Sequence, residues 1–217
     1  MTTALVVIDM QHDFVAPDGW FARFGFDVAP LRAIIPTIAS LLVAARAAGV
    51  PVIHTRQGNA PDLSDLPPAR LAQGERSGNP VGSVGSLGRG LIRGELGWHI
   101  IDELAPADGE LVVDKPGYSS FAGTSLAWEL DSRGISRLAL TGVTANVCVL
   151  STLLSAVDLG YETVVVSDAI AAVSAETTSS VLDLVRYQGG LFGELVTAAD
   201  FIAALPAPAA SATQSGA

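Results

Sequence analysis

From Leu138 to Val157 the chain runs twenty residues without a charge. That is long enough to cross a bilayer as one helix. However, Thr141-Gly142 and Thr144-Ala145-Asn146 interrupt the run, and buried cores of α/β proteins read the same way. The membrane span is therefore rejected. Leu138 to Leu140 instead predicts a short buried strand, after which Val147, Leu150, Leu153, Leu154 and Val157 recur at helical spacing. The elbow between them holds Cys148, the only cysteine. Near a helix N-terminus, unpaired backbone N–H groups and the positive end of the macrodipole favour a thiolate, so the position predicts a lowered thiol pKa and a nucleophile. A lone cysteine also packs as a small hydrophobe, and that reading stays open at this point.

Two further apolar runs end in ionisable residues: Ala4 to Ile8 leads into Asp9, and Leu111 to Val113 into Asp114-Lys115-Pro116-Gly117. Pro51 to Thr55, Thr163 to Val166 and Leu191 to Val196 complete six candidate strands. Between them lie helical patterns at 31–45, stopped by Gly49, at 98–104, at 125–132, stopped by Gly134, and at 177–187, with a last helix at 199–205. Strands joined by helical crossovers predict a three-layer α-β-α domain, a six-stranded parallel Rossmann-like sheet covered on both faces, over residues 1–205. In such a sheet the carboxyl ends of the strands line one crevice, where Asp9, Lys115 and Cys148 meet as base, cation and nucleophile. Taken singly, Asp9 also caps a turn and Lys115 is also a solvated strand-end charge. Residues 57–96 form a long Gly/Pro-rich loop, a lid, an oligomer contact or a disordered segment, and 206–217 a disordered tail.

The segments VVIDMQHDF at 6–14, VVDKPGYSSF at 112–121 and LTGVTANVCVLST at 140–152 resemble the isochorismatase-like cysteine hydrolases, and the resemblance runs over residues 3–205. It implies that fold, an Asp9–Lys115–Cys148 catalytic triad, and a cis peptide at Val143–Thr144. With it comes an oxyanion hole from the backbone N–H groups of Thr144 and Cys148. It also implies C–N bond hydrolysis through a thioester rather than the vinyl-ether chemistry of the isochorismatases proper, which lack the cysteine. Relatives that cleave nicotinamide carry an Asp-x-His metal pair. Val52-Ile53-His54 has no such Asp, so no metal and no cofactor is expected. His54 faces the pocket or is structural, and His12 and His99 are scattered. The glycines at 82–90 lack the preceding strand and following Lys-Ser/Thr of a phosphate loop.

Further runs at 55–68, 92–101 and 186–196 resemble the branch containing biuret amidohydrolases and related ureido or carbamoyl hydrolases. That resemblance places Gln188 on the substrate amide, with a helix-end cap as the alternative reading. Val149-Leu150-Ser151 depart from the His-Thr-Thr of biuret-type members. Phe14, Trp20 and Phe121 are expected to wall the pocket or to pack in the core. The expected reaction is release of ammonia from a small biuret-like compound. The alternatives are another small amide (maleamate-, nicotinamide- or carbamoylsarcosine-like), a non-catalytic binding module, or a redox-sensing cysteine, which lacks a resolving partner here.

Charge and composition exclude other classes. A net charge of −10, from 22 acids against 12 bases, offers no basic stripe for nucleic acid or an anionic membrane. With 49% hydrophobic and 16% charged residues, the chain predicts apolar surface buried between subunits, hence a homotetramer or other homo-oligomer. One cysteine leaves no internal disulfide and fits the cytosol.

Overall fold

The structure, a computed structural model, describes residues 2–207. Residues 208–217, most of the segment expected to be a disordered tail, lie outside them. In chain order the elements are β1 (Thr2–Ile8), α1 (His12–Val15), α2 (Trp20–Arg23), α3 (Ala29–Ala33), α4 (Ile35–Ala47), β2 (Val52–Gln57) and α5 (Pro68–Ser77). A small hairpin, β3 (Val84–Gly85) and β4 (Gly88–Arg89), precedes β5 (Leu111–Lys115), α6 (Leu126–Ser132) and β6 (Ile135–Val143). The chain ends with α7 (Leu150–Asp158), β7 (Glu162–Ala171), α8 (Ala175–Gly190), β8 (Glu194–Val196) and α9 (Ala198–Ala203).

Six strands form one parallel sheet in the order β5-β2-β1-β6-β7-β8. The chain first builds outward from β1 through β2 to β5, then returns to β1's other side and builds outward again through β6, β7 and β8. The direction reverses between β1 and β6, and in open α/β sheets ligands bind beyond the carboxyl ends of the strands at such a point. Side chains alternate across the sheet: Leu5 and Val7 pack with Leu31, Ile38 and Leu42 on one face, whereas Val6 and Ile8 pack with Leu130, Leu153 and Val185 on the other. Each such side chain, when fully buried, contributes about 1.5–3 kcal/mol.

The uncharged run at 138–157 is divided between β6, a π-helical turn at Ala145–Val149 and α7, so its apolar residues are core rather than a bilayer span. Among the described residues, Ala29–Ala47 is the one helical run long and apolar enough to cross a membrane, with a mean hydropathy of 1.4. It is not one straight helix. α3 and α4 separate at Ile34, because Pro36 has no N–H to donate and its ring obstructs the carbonyl four residues earlier.

Two expectations are corrected here. The 57–96 connection is not structureless, since it contains α5 and the β3–β4 hairpin, the latter built from the glycine-rich stretch at 82–90. Its attachment is specific: the Asp13 carboxylate, buried on α1, accepts from Leu91 N–H at 2.7 Å. The pattern at 98–104 resolves into two 3-10 turns, Leu96–Trp98 and Asp102–Leu104, rather than one helix.

Candidate active site

Asp9 is the first residue after β1 and Lys115 the last residue of β5, while Cys148 sits within the π-helical turn that follows β6. Three strand ends thus deliver the three side chains to the switch point. The approach of β1 to β6 depends on Gly142 (φ +102), where a Cβ would collide with the Ile8 carbonyl. Asp9 itself has φ +51, a left-handed conformation costly for a residue with a side chain and concentrated at functional sites. The peptide Val143–Thr144 is cis. In the turn, Val149 N–H reaches Thr144 O at 3.2 Å, the i to i−5 spacing that recurs where a helix is distorted for function.

All three side chains are buried, Asp9 and Lys115 with no exposed surface and Cys148 with 3%. Lys115 Nζ lies 2.6 Å from Asp9 Oδ2 and donates to the carbonyls of Gly117 (3.0 Å) and Tyr118 (2.9 Å). Asp9 Oδ1 accepts from Thr55 Oγ1 at 2.6 Å. The contact of Oδ2 with Lys115 lies off the hydrogen-bond direction, so Oδ2 has no aligned donor and remains able to take a proton. The Cys148 thiol donates to Gln57 Oε1 at 3.2 Å. Burial pushes this thiol up to about 12, with Lys115 opposing the rise and Asp9 adding to it. The lowered pKa expected from a helix N-terminus is therefore corrected. Desolvation of the charged form exceeds the help of the turn's N–H groups, and the resting residue is a thiol.

Above the sulfur is a cavity of about 280 Å³. Phe14 and Trp20 line it, as their sequence positions suggest, together with Phe21, Phe26, Tyr118 and Thr144. Phe121 does not. It packs with the cluster behind the sheet and stacks on Tyr161 with ring centroids 5.6 Å apart, and Tyr118, three residues earlier, takes the pocket position. Gln188 also lies elsewhere. It is exposed, left-handed (φ +50), and next to Gly189 and Gly190, which line a groove with Glu162 and Thr163 at the amino end of β7. A crossover helix in a parallel sheet runs back against the strands, so the end of α8 is carried to the opposite edge. Its regular part, 175–186, spans about 18 Å at 1.5 Å per residue.

Gln57 was not anticipated, because β2 extends two residues beyond its apolar run and ends at Gln57 rather than Thr55. Its orientation is set by Gln11, which accepts from Gln57 N–H at 2.7 Å and donates to Gln57 O at 3.0 Å. The signal was present in the polar Gln11, the third residue past the first strand. His54 points away from the site: its Nε2 meets Glu110 Oε2 at 3.1 Å near the amino end of β5, which makes it structural. Among the described residues no group of three His, Cys, Asp or Glu side chains is placed to hold a metal.

Comparison with known proteins agrees with this architecture. Residues 3–200 match the isochorismatase domain. A ureidoacrylate amidohydrolase, RutB, of Methylobacterium radiotolerans is 34% identical over 175 residues, spanning 77% of this chain and 66% of that protein, slightly under two thirds of its length. The crystal structure of a cysteine hydrolase from Pseudomonas syringae pv. phaseolicola superposes with a TM-score of 0.78 at 31% identity, covering 93% of this chain and 91% of that one. An N-carbamoylsarcosine amidase from Thermoplasma acidophilum superposes with a TM-score of 0.68 at 25% identity, covering 91% and 97%. With its six-stranded parallel sheet, and with the domain match running from β1 into α9, the chain belongs to the isochorismatase family.

Proposed function

We propose that the protein is a cysteine amidohydrolase that cleaves the C–N bond of a small ureido or carbamoyl compound through a thioester, releasing ammonia. The observation that carries this reading is the buried Asp9–Lys115 pair beside the Cys148 thiol. A thiol held near 12 is a poor nucleophile at rest, so a base must remove its proton within the site. Asp9 Oδ2, buried and without an aligned donor, is that base. As the proton moves from sulfur to carboxylate, one negative charge moves the other way, and Lys115 faces it at both ends of the transfer.

The thiolate attacks the substrate carbonyl, and the oxyanion is received by the backbone N–H groups of Thr144 and Cys148. The tetrahedral intermediate collapses as Asp9 returns the proton to the departing nitrogen, and ammonia leaves. Asp9 then takes a proton from water, which attacks the thioester and frees the acid and the thiol. One amide and one water become one acid and one ammonia. The ureido class is supported by the names of two relatives and by Gln57, whose carboxamide lies at the Cys148 thiol and has both the acceptor and the donor that match the N–H and carbonyl of a urea-like group. Biuret belongs to this class, but Gln188, its residue-level support in the sequence, is on the far edge of the sheet.

The test is ammonia release from biuret, N-carbamoyl amino acids, ureidoacrylate and simple primary amides, with Cys148→Ser assayed in parallel. The expected result is turnover of at least one ureido compound and a loss of about a thousandfold or more in the variant, at unchanged circular dichroism. Near-normal activity in Cys148→Ser sinks the mechanism, and turnover confined to simple amides sinks the substrate class.

A further inference from the structure

One charge in the cavity is left without a partner. Among the described residues lining it, Arg70 alone is formally charged, and it takes no part in the ion pairs that engage Arg46, Arg56, Arg93, Arg133, Arg137 and Arg186. Arg70 lies in the first turn of α5, with its guanidinium 4.3 Å above the Tyr118 ring, and donates through Nη1 to Pro116 O at 2.7 Å. That leaves the remaining guanidinium N–H groups free of hydrogen bonds among the described residues. The loop it grips is the one whose next two carbonyls, Gly117 and Tyr118, receive Lys115 Nζ from below. One short loop therefore separates two cations. Lys115 is fully buried against Asp9, whereas Arg70 is half-buried on the solvent side with no acid.

Stacking on Tyr118 and the bond to Pro116 fix the plane of the guanidinium, and a fixed planar fork fits a carboxylate through two parallel N–H bonds. A neutral substrate that displaces water here leaves the cation desolvated without a counter-charge. The chain's net charge of −10 repels an anion at a distance. At physiological salt that repulsion is screened beyond about 8 Å, so selection for an anion has to be local. We propose that the substrate carries a carboxylate on the side of the scissile amide remote from Cys148, and that Arg70 is the residue that selects it. This deepens the amidohydrolase reading and rests on it for the placement of the amide. It favours ureido acids over neutral biuret.

Binding and turnover separate the two claims. Affinity is measured by calorimetry on full-length Cys148→Ser for N-carbamoyl-β-alanine and for its methyl ester, with and without Arg70→Met. The expected result is that the acid binds at least about tenfold more tightly than the ester, and that Arg70→Met reduces this ratio about ten- to hundredfold. Arg70→Lys restores part of it, since the charge remains and the fork does not. An acid-to-ester ratio near one, a ratio unmoved by Arg70→Met, or no binding of the acid overturns the proposal. Ammonia release from the same two compounds by the unmodified enzyme reports the amidohydrolase reading independently, because the affinity ratio does not depend on Cys148 turning anything over.

Discussion

The sheet holds a cluster of ionisable groups at each edge, and the two differ in how far their hydrogen-bonding capacity is used. At the amino edge, Glu110 receives Arg46 Nε at 2.8 Å and Nη2 at 2.9 Å, Ala107 N–H at 2.8 Å and His54 Nε2 at 3.1 Å. Burial raises its pKa, but those donors together outweigh burial and hold it at about 2. The acid is saturated, and in the neutral imidazole only His54 Nδ1 stays unpaired. At the carboxyl edge, Asp9 has one aligned side-chain donor, Thr55, and an oxygen that faces Lys115 without accepting from it, beside a thiol kept protonated by burial. Saturation makes a cluster a staple. Incompleteness leaves a proton somewhere to go, and the reacting atoms supply what is missing.

The largest expected effects come from exchanging an acid for its amide at each edge. In the proposed mechanism Asp9→Asn removes the base that deprotonates Cys148, so kcat/KM falls by about a hundredfold or more. Stability falls as well, because the amide still accepts from Thr55 but leaves Lys115 buried without a counter-charge. Glu110→Gln does the reverse: activity stays within a fewfold while chemical denaturation shows a loss of about 1–3 kcal/mol as Arg46 and His54 lose a charged partner. Loss of stability without loss of activity in Asp9→Asn, or the opposite pattern in Glu110→Gln, breaks the comparison.

The pH dependence of stability sharpens it at a smaller scale. The folded pKa of His54 is depressed, chiefly by burial, and that of Glu110 is depressed by its donors. A group depressed in the folded state contributes stability above its unfolded pKa and loses it as pH falls through the folded one. Melting temperature is therefore expected to fall first as pH drops below about 6.5, the unfolded value for His54, and again between about 4.5 and 2 as Glu110 protonates. The second step corresponds to about 3 kcal/mol at most. Asp13, raised by burial, works in the opposite direction, so the diagnostic is the difference between the unmodified protein and Glu110→Gln, whose profile is flatter below pH 4.5. Superimposable profiles would mean that the amino-edge cluster is not the staple described.

The carboxyl-edge cluster was legible in the sequence because its members follow apolar runs, and an apolar run followed by a polar residue marks the end of a buried strand. Strand ends were read short wherever pairing continues past the apolar stretch. β2 runs on to Gln57, β6 to Val143 and β7 to Ala171, held by backbone bonds to parallel neighbours that composition does not reveal. That is how Gln57 escaped notice. α5 was hidden for a different reason: it buries none of its residues, so it has no apolar stripe to register as a period. Arg70, carried on that helix, was invisible with it. Phe121 was assigned from its place in the sequence and Gln188 from a family resemblance, yet which face or edge a residue reaches is a property of the whole sheet.

Gln188 gives the smallest expected effect and the strictest test of the two-edge picture. Its side chain is exposed at the end of α8, in a left-handed backbone conformation that does not depend on its carboxamide. Gln188→Leu should therefore leave kcat/KM within about twofold on biuret, on N-carbamoyl amino acids and on simple amides alike, since surface substitutions away from special features stay within about 0.5 kcal/mol. A uniform small loss on every substrate would reflect stability and leave the picture intact. A drop of fivefold or more confined to ureido substrates would require the Gln188 amide to touch the bound molecule. Within one chain the length of α8 forbids that, because the helix carries Gln188 about 18 Å from the carboxyl edge. The contact would then have to come from the α8 end of a second copy of the chain, and the site would be shared between subunits rather than built at one edge of one sheet.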